Sequence, residues 1–349
     1  MSFKAAIIGA AGYVGGELLR LLYGHPLVEV SMVTSRRYAG EYVYRVHPNL
    51  RGYFDLKFEK PEVSRISDKC DLVLSAAPHG SAVHLTKEFY EMGMKVIDLS
   101  ADYRLRDPEA YERYYGFKHP YPELLEKRAY GLPELHREEI KRANLVATPG
   151  CNATAAILSL APLASLIGES PIIVNAIEGS SAGGSSPSLA SHHPERANVI
   201  RPYKPAGHRH EEEIKQEIGE LARKEVKVVM SAVAVDLVRG LLTVSHVFSE
   251  RVDEREIWGL FRKFVKDEPF LMIVKDKKAT FKLPDPKIAI GTNRAYLAFE
   301  ADPENGRVVT IAAIDNLVKG AAGNAVQSLN IMLGIDERTN LDRPSLHPV

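Results

Sequence analysis

Two cysteines and a single tryptophan are all that the 349 residues contain of either type. Cys70 and Cys151 stand far apart, with no metal-ligand spacing around either. That excludes a disulfide-stapled scaffold, argues against a bound metal, and predicts a reducing, cytoplasmic setting. Net charge is missing too: 45 Lys and Arg balance 45 Asp and Glu, and no basic run of the nucleic-acid-binding kind occurs. No apolar run approaches the length a bilayer span needs, and Met1-Ser2-Phe3-Lys4 leads straight into a strand pattern rather than a signal peptide. Internal repeats and low-complexity segments are absent. The mixed-sign stretches 211–225 and 250–267 read as solvated helix faces. What remains is a chain long enough for two domains with a real core.

The sequence turns on Thr148-Pro149-Gly150-Cys151-Asn152-Ala153-Thr154. Leu145-Val146-Ala147 before it reads as a strand end, and the apolar run from Ala155 to Ala161 after it as a buried helix. Pro149 and Gly150 make the turn between them, so Cys151 falls at a helix N-terminus. Unpaired N–H groups and the positive end of the helix dipole favour an anion there, which biases a thiol toward thiolate. The same N–H groups could hold the oxygen of a tetrahedral intermediate. The competing reading is a small core cysteine; the turn and the helix start favour a nucleophile. Cys70, inside a strand-like run, is predicted to be core.

The first half reads as a cofactor domain. The short apolar strand 3–8 is followed by Gly9-Ala10-Ala11-Gly12-Tyr13-Val14-Gly15, then a helix with Val14, Leu18, Leu21 and Leu22 on one face. Strand, glycine turn and helix together predict a dinucleotide site, with pyrophosphate at the helix N-terminus. After the next strand, 28–33, an NAD enzyme usually places a carboxylate for the ribose hydroxyl. Here stand Thr34-Ser35-Arg36-Arg37, which suit a 2′-phosphate and predict NADP over NAD, the alternative being an exposed basic turn. Strands 71–76 and 95–100 follow, and Pro78 in Pro78-His79-Gly80 is placed beside the nicotinamide, with His79 as lining. The Tyr-, Arg- and Pro-dense segment 103–133 reads as an irregular surface excursion.

The second half reads as a site for an acidic substrate. Strand 171–178, ending in Glu178, leads into a small-residue loop, 179–186, that permits close backbone approach to a ligand. Residues 191–210 then carry four histidines and four Arg or Lys against one carboxylate. Such a cationic lining suits carboxylate or phosphate, and a zinc site there is disfavoured. His208 is the candidate acid/base, because imidazole titrates near neutrality; His210 is the alternative. Asn152, Glu178, His193, Arg196, Arg201, Lys204 and Arg209 form the candidate substrate set, and Gly183 and Asn316 join the cofactor set. Strand patterns at 226–233, 242–248, 289–290, 295–299 and 308–314, with a helix bearing Ile257, Leu260, Phe261 and Phe264, predict an α+β second domain that carries an oligomer interface. A final helix starts from Asp315-Asn316. The fold class is therefore α/β: a Rossmann-type domain over 1–150 and 316–349, and a mixed or antiparallel sheet domain over 151–315.

Taken together these motifs resemble the acyl-phosphate reductase group that includes N-acetyl-glutamyl-phosphate reductase and aspartate-semialdehyde dehydrogenase. The resemblance covers essentially the whole chain, through the Gly9–Leu18 turn, Pro149–Thr154, Gly207-His208-Arg209-His210 and the 315–323 segment. One departure is informative. The usual members carry Ser-Gly-Ala-Gly-Arg where this chain has Ser181-Ala182-Gly183-Gly184-Ser185, and 191–196 with 203–207 is similar to the branch whose substrates ride on a small acidic amino-group carrier protein. The resemblance implies reduction of carrier-linked aminoadipate 6-phosphate or glutamate 5-phosphate, in lysine or arginine biosynthesis. It implies a Cys151 thioester and NADPH, with a homodimer or homotetramer as assembly. The free N-acetylated substrate is the runner-up. A Cys-His thiol hydrolase or a redox-sensing NADP-binding protein are the readings from other classes.

Overall fold

The computed structural model describes residues 2–346 and 349, and the chain divides into two compact units, Met1–Pro149 with Ala321–Arg343, and Gly150–Gly320 with Pro344–Val349. Among the described residues no helix is long and apolar enough to cross a membrane.

The first unit is built on seven strands: β1 (Phe3–Ile8), β2 (Val28–Thr34), β3 (Phe58–Glu59), β4 (Leu72–Ser75), β5 (Lys95–Asp98), β6 (Ala129–Tyr130) and β7 (Leu145–Ala147). They pair in the order β3-β2-β1-β4-β5-β7-β6, every pair parallel. Parallel sheets need cover on both faces, and β4 and β7 are accordingly buried at every residue. The order runs outward from β1 in both directions, so the crevice at the carboxyl ends of β1 and β4 is the switch point where such sheets take ligands. The last helix, Gly323–Met332, is buried at all ten positions and packs on the helices Tyr13–Leu22 and Pro133–Arg142. Its polar residues are satisfied there: Gln327 donates to Glu134 at 3.2 Å and to Glu337 at 2.8 Å, and Asn330 pairs with His25 at 2.9 Å.

Segment 103–133 departs from the surface excursion its composition suggests. Tyr103, Tyr111 and Tyr130 are among the largest fully buried side chains, and the segment contributes two short helices and β6. Tyr103 and Tyr111 can be buried because their polar ends find partners: the Tyr103 hydroxyl donates to the Val83 carbonyl at 2.6 Å, and the Tyr111 hydroxyl accepts the Leu105 N–H at 2.9 Å. Cys70 lies in the same core cluster, and burial pushes its thiol above the usual range.

The second unit has a mixed sheet of seven strands: β8 (Ile172–Glu178), β9 (Ile200–Lys204), β10 (Val228–Val235), β11 (Leu241–Phe248), β12 (Leu271–Ile273), β13 (Ala295–Asp302) and β14 (Arg307–Ile314). The order is β12-β13-β14-β11-β8-β10-β9, with β12/β13 and β8/β10 parallel and the rest antiparallel. Residues 289–290, expected as strand, instead leave the 3₁₀ turn Pro286–Ile288, because the Asp285 side chain caps it by accepting the Lys287 N–H at 2.8 Å. The 191–210 run supplies β9, which carries Pro202 and sits at the sheet edge, where a missing N–H is tolerated. The helix Cys151–Leu160 packs on β11, β13 and β14, and the helix His210–Ala222 packs on it and on β10.

Candidate active site

In the first unit, Gly9 follows β1 in the left-handed region at φ 71°, and a β-carbon there would lie 2.5 Å from the Ala76 carbonyl. The chain after β4 therefore presses directly on the glycine turn, as only glycine permits. Gly12 is the N-cap of Tyr13–Leu22; it makes no side-chain cap, and no acidic residue occupies the first turn. With Ala10, Ala11, Val14 and Gly15 completing the turn and Tyr13 46 % exposed, the N-terminus keeps its donors and its positive dipole end for an anion. The residues fit a dinucleotide pyrophosphate. Ala10 N–H reaches Thr34 O at 3.0 Å, joining the turn to the end of β2. Thr34 and Ser35 are buried, while Arg36 and Arg37 are exposed. The carboxylate on the neighbouring strand, Glu59, pairs with Arg65 at 2.8 Å. His47, which no motif singles out, braces the turn from behind. Its Nε2 bonds the Ala10 carbonyl at 2.8 Å and its ring packs where Gly16 lacks a side chain.

In the second unit, Cys151 is the first residue of its helix, with Gly150 as N-cap and no acidic residue in the first turn. Its thiol faces the Asn152 amide oxygen at 3.9 Å, and Gly320 packs so closely that a β-carbon there would lie 2.7 Å from the Cys151 β-carbon. The Asn152 side chain also hydrogen-bonds Glu178 and Tyr203, and the Tyr203 hydroxyl donates to Glu178. Burial raises the Glu178 carboxyl, an effect offset in part by Tyr203, Asn152, Arg209 and Arg196; burial and then Glu178 raise the Tyr203 phenol. Tyr203 belongs to this cluster although its sequence context marked only the cations around it.

His208 is buried, and its ring stands 6.3 Å from Tyr203 and 4.7 Å from His210. The expectation that it titrates near neutrality is not met. Burial, then the charges of Arg209 and Lys204, lower its pKa to about 4. Its Nδ1 accepts the His210 N–H at 3.2 Å, which leaves the proton of the neutral ring on Nε2. His210 lies instead against the Pro149-Gly150-Cys151 turn: a β-carbon on Gly150 would meet its Nε2 at 2.3 Å, and Glu213 faces that nitrogen at 3.8 Å while accepting the Gly150 N–H at 2.9 Å.

Stretch 211–225 is therefore not simply a solvated face. Glu211, Glu213 and Glu217 are 7 %, 0 % and 2 % exposed. Glu211 is held by the N–H groups of His208 and Met230 at 3.2 and 3.0 Å. The carboxylates turn inward because backbone donors at the helix start and at Gly150 await them. Glu213 stands three residues from His210 on one helix, a signal the sequence did carry.

Arg196 and Arg201 line a cavity of about 240 Å³ together with Glu178, Tyr203, Ser180 and Gly183. The register explains the meeting: Glu178 and Arg201 both pair with Ala234, from opposite sides of β10. Arg196 donates to the Val235 carbonyl at 2.9 Å and so stays beside the strand end. Gly183, expected on the cofactor, thus lies among substrate candidates. Asn316, also expected on the cofactor, spends its amide within the second unit. It accepts the Gly240 N–H at 2.8 Å and donates to Ser181 at 2.9 Å. Lys204 and Arg209 flank His208, whereas exposed His193 is not among the cavity's lining residues, and Pro78 sits on the exposed turn after β4. Among the described residues no group of three His, Cys, Asp or Glu stands ready for a metal ion.

Two family models match the chain, the semialdehyde dehydrogenase NAD-binding domain over residues 4–143 and the semialdehyde dehydrogenase dimerisation domain over 151–316. A protein of Saccharolobus solfataricus named LysW-L-2-aminoadipate/LysW-L-glutamate phosphate reductase is 45 % identical over 348 residues, covering 99 % of this chain and 98 % of its own. A Nitrosopumilus maritimus protein that carries the same reductase name provisionally is 49 % identical over 349 residues, covering 99 % of this chain and 100 % of its own. Among solved structures, aspartate semialdehyde dehydrogenase with NADP from Candida albicans superposes with a TM-score of 0.69 at 16 % identity, covering 95 % of this chain and 99 % of that one, a likeness of fold. The chain belongs to the semialdehyde dehydrogenase family, in the branch of the LysW-aminoadipate/glutamate phosphate reductases.

Proposed function

We propose that this protein reduces an aminoadipate 6-phosphate or glutamate 5-phosphate, carried on an acidic amino-group carrier protein, to the semialdehyde, using NADPH and a Cys151 thioester. The observation that carries the reading is the chain of contacts that starts at Cys151: a thiol opening a buried helix and facing Asn152, which bonds Glu178 and Tyr203, with the His208 ring against Tyr203. The names of the full-length relatives support the substrate class.

The thiolate of Cys151 attacks the acyl carbon and phosphate departs, which leaves a thioester. The helix N-terminus favours the negative charge on sulfur and, through its N–H groups, on the acyl oxygen. Arg196 and Arg201 suit anionic groups of the substrate, as guanidiniums pair with carboxylate and phosphate in two-point fashion. When bound, the reduced nicotinamide supplies hydride to the thioester carbon. His208, neutral and protonated on Nε2, donates to the oxygen that becomes negative, and the thiol leaves with the semialdehyde as product. Splitting the reduction in two replaces a poor hydride acceptor with a thioester.

Thr34, Ser35, Arg36 and Arg37 at the end of β2, with Glu59 tied to Arg65, favour NADPH over NADH. A homodimer suits the second unit's sheet, where Ile173 and Val229 are 37 % and 48 % exposed on strands that alternate inward and outward. Ile173→Asp combined with Val229→Asp then gives a monomer by light scattering; an intact dimer contradicts that assignment.

The substrate reading is tested by Arg196→Glu with Arg201→Glu. KM for a carrier-linked semialdehyde should rise at least about tenfold at low salt, more than for the free N-acetylated semialdehyde. Equal KM values for wild type and variant contradict the cationic site.

A further inference from the structure

The seven residues 99–105 lie between β5 and the first short helix of the buried tyrosine segment, and nothing in the reaction described above uses them. Three of their polar side chains, Ser100, Asp102 and Arg104, are 1 %, 0 % and 6 % exposed. Polar groups so deeply buried are costly unless they hold something in place, and these hold backbone.

We propose that this segment is a strap with two positioning residues: Asp102 sets the turn after β4 that borders the glycine turn, and Arg104 sets the Thr148 carbonyl just before the chain turns toward Cys151.

The contacts divide cleanly between the two. Both carboxylate oxygens of Asp102 accept the Gly80 N–H, at 2.8 and 2.9 Å, and the carboxylate also takes the backbone N–H groups of Ala82 and Val83. It thereby caps the helix Ala82–Glu91, which makes no side-chain cap of its own. From the turn's side, the Ala101 N–H is received by His79 Nδ1 at 3.0 Å, and the Leu99 N–H is received by Ser75, the last residue of β4, at 2.8 Å. The turn so fixed begins at Ala76, whose carbonyl presses on Gly9. Placing that backbone places one wall of the cofactor turn.

Arg104 works at the other end. Its Nε donates to the Thr148 carbonyl at 2.8 Å and its Nη2 to the Leu99 carbonyl at 3.2 Å. The Thr148 N–H is held from the opposite side by the Asp98 carbonyl, also at 2.8 Å. Arg128 locks the strap from outside, donating to the carbonyls of Tyr103 and Arg104 at 3.0 and 2.9 Å, while His119 bonds the Asp102 carbonyl at 2.8 Å. Beneath it, the Ser100 hydroxyl donates to Asp98 at 2.7 Å. Burial, then the charge of Asp102, push the Asp98 carboxyl up to about 7.

The proposal rests on reading the glycine turn as the cofactor site and Cys151 as the nucleophile. Its test uses two readouts that need no substrate: NADPH affinity by fluorescence, and the pH-dependent rate of Cys151 alkylation by iodoacetamide, followed by mass spectrometry. In the full chain, Asp102→Asn turns an acceptor into a donor facing Gly80. It should weaken NADPH binding about tenfold and leave the alkylation rate within twofold. Arg104→Gln should do the reverse, changing the alkylation rate at least fivefold and shifting its pH midpoint, with NADPH affinity within twofold. Arg104→Lys, which keeps one donor, should recover part of the alkylation behaviour. Should Asp102→Asn fail to fold, His79→Ala loosens the same joint and should weaken NADPH binding in the same direction. Changes in both readouts that merely track a drop in melting temperature, or no change in either, overturn the strap. An active Cys151→Ser variant would refute the functional reading separately, because the split between the two readouts is scored on the thiol whether or not it is the nucleophile.

Discussion

The two sheets bury polar groups for different ends. In the first unit the buried acids tie the fold together: Asp102 caps a helix through backbone N–H groups, while Asp98 accepts from the Ser100 hydroxyl and Glu134 from the Gln327 amide. In the second unit one group of buried polar side chains gathers near Cys151, where Asn152, Glu178, His208, His210 and Glu213 are linked by a short chain of contacts. The strands differ in the same sense. β4 and β7 are wholly buried, whereas β8, β10 and β11 alternate, leaving one face of the second sheet partly exposed. On the function proposed above, the first unit is the covered platform whose strand ends would take the cofactor, and the second would supply the nucleophile and a face for association.

If that division is right, changes in the second unit alter the chemistry and spare cofactor binding. Cys151→Ser should abolish turnover, a loss of at least about a thousandfold, with NADPH affinity unchanged by fluorescence titration. A weakened NADPH affinity would break the comparison. His208→Gln should cost about 10²–10⁴-fold in kcat. Because burial, Arg209 and Lys204 hold the His208 pKa at about 4, its protonation should inactivate the free enzyme only near that pH. The profile of kcat/KM should therefore lack a His208 limb near the ordinary 6.5, and a limb at 6.5 that vanishes in His208→Gln would contradict the assignment. The sign for stability follows. A histidine whose folded pKa lies below its unfolded value destabilises the fold as pH drops from 6.5 through about 4, so His208→Gln should lose less stability than wild type over that window, by acid titration of melting temperature.

How much of this was legible in the sequence depends on how local the signal is. The glycine turn, the Pro149-Gly150 turn and the Cys151 helix rest on near-neighbour patterns, and each is present where expected. Glu178 and Arg201 meet through strand order, which no local pattern reveals. The tyrosines of 103–133 and the acids of 211–217 were misread because composition reports polarity and not whether a partner waits inside. The surroundings of Gly183 and Asn316 were equally beyond local pattern, since their neighbours come from distant strands and loops of the second unit.

The smallest expected effect lies in the first unit. Arg36→Ala should weaken NADPH about tenfold, leave NADH affinity nearly unchanged, and keep kcat within about twofold at saturating cofactor. Equal losses for both cofactors would remove the basis for preferring NADPH.

The central claim is that sulfur carries the acyl group between the two halves of the reaction. Wild-type protein mixed with the carrier-linked acyl phosphate, with no nicotinamide present, should release one phosphate per active site in a burst and show by mass spectrometry an acyl adduct at Cys151 that hydroxylamine removes. A steady release with no adduct, or an adduct at another residue, would contradict it.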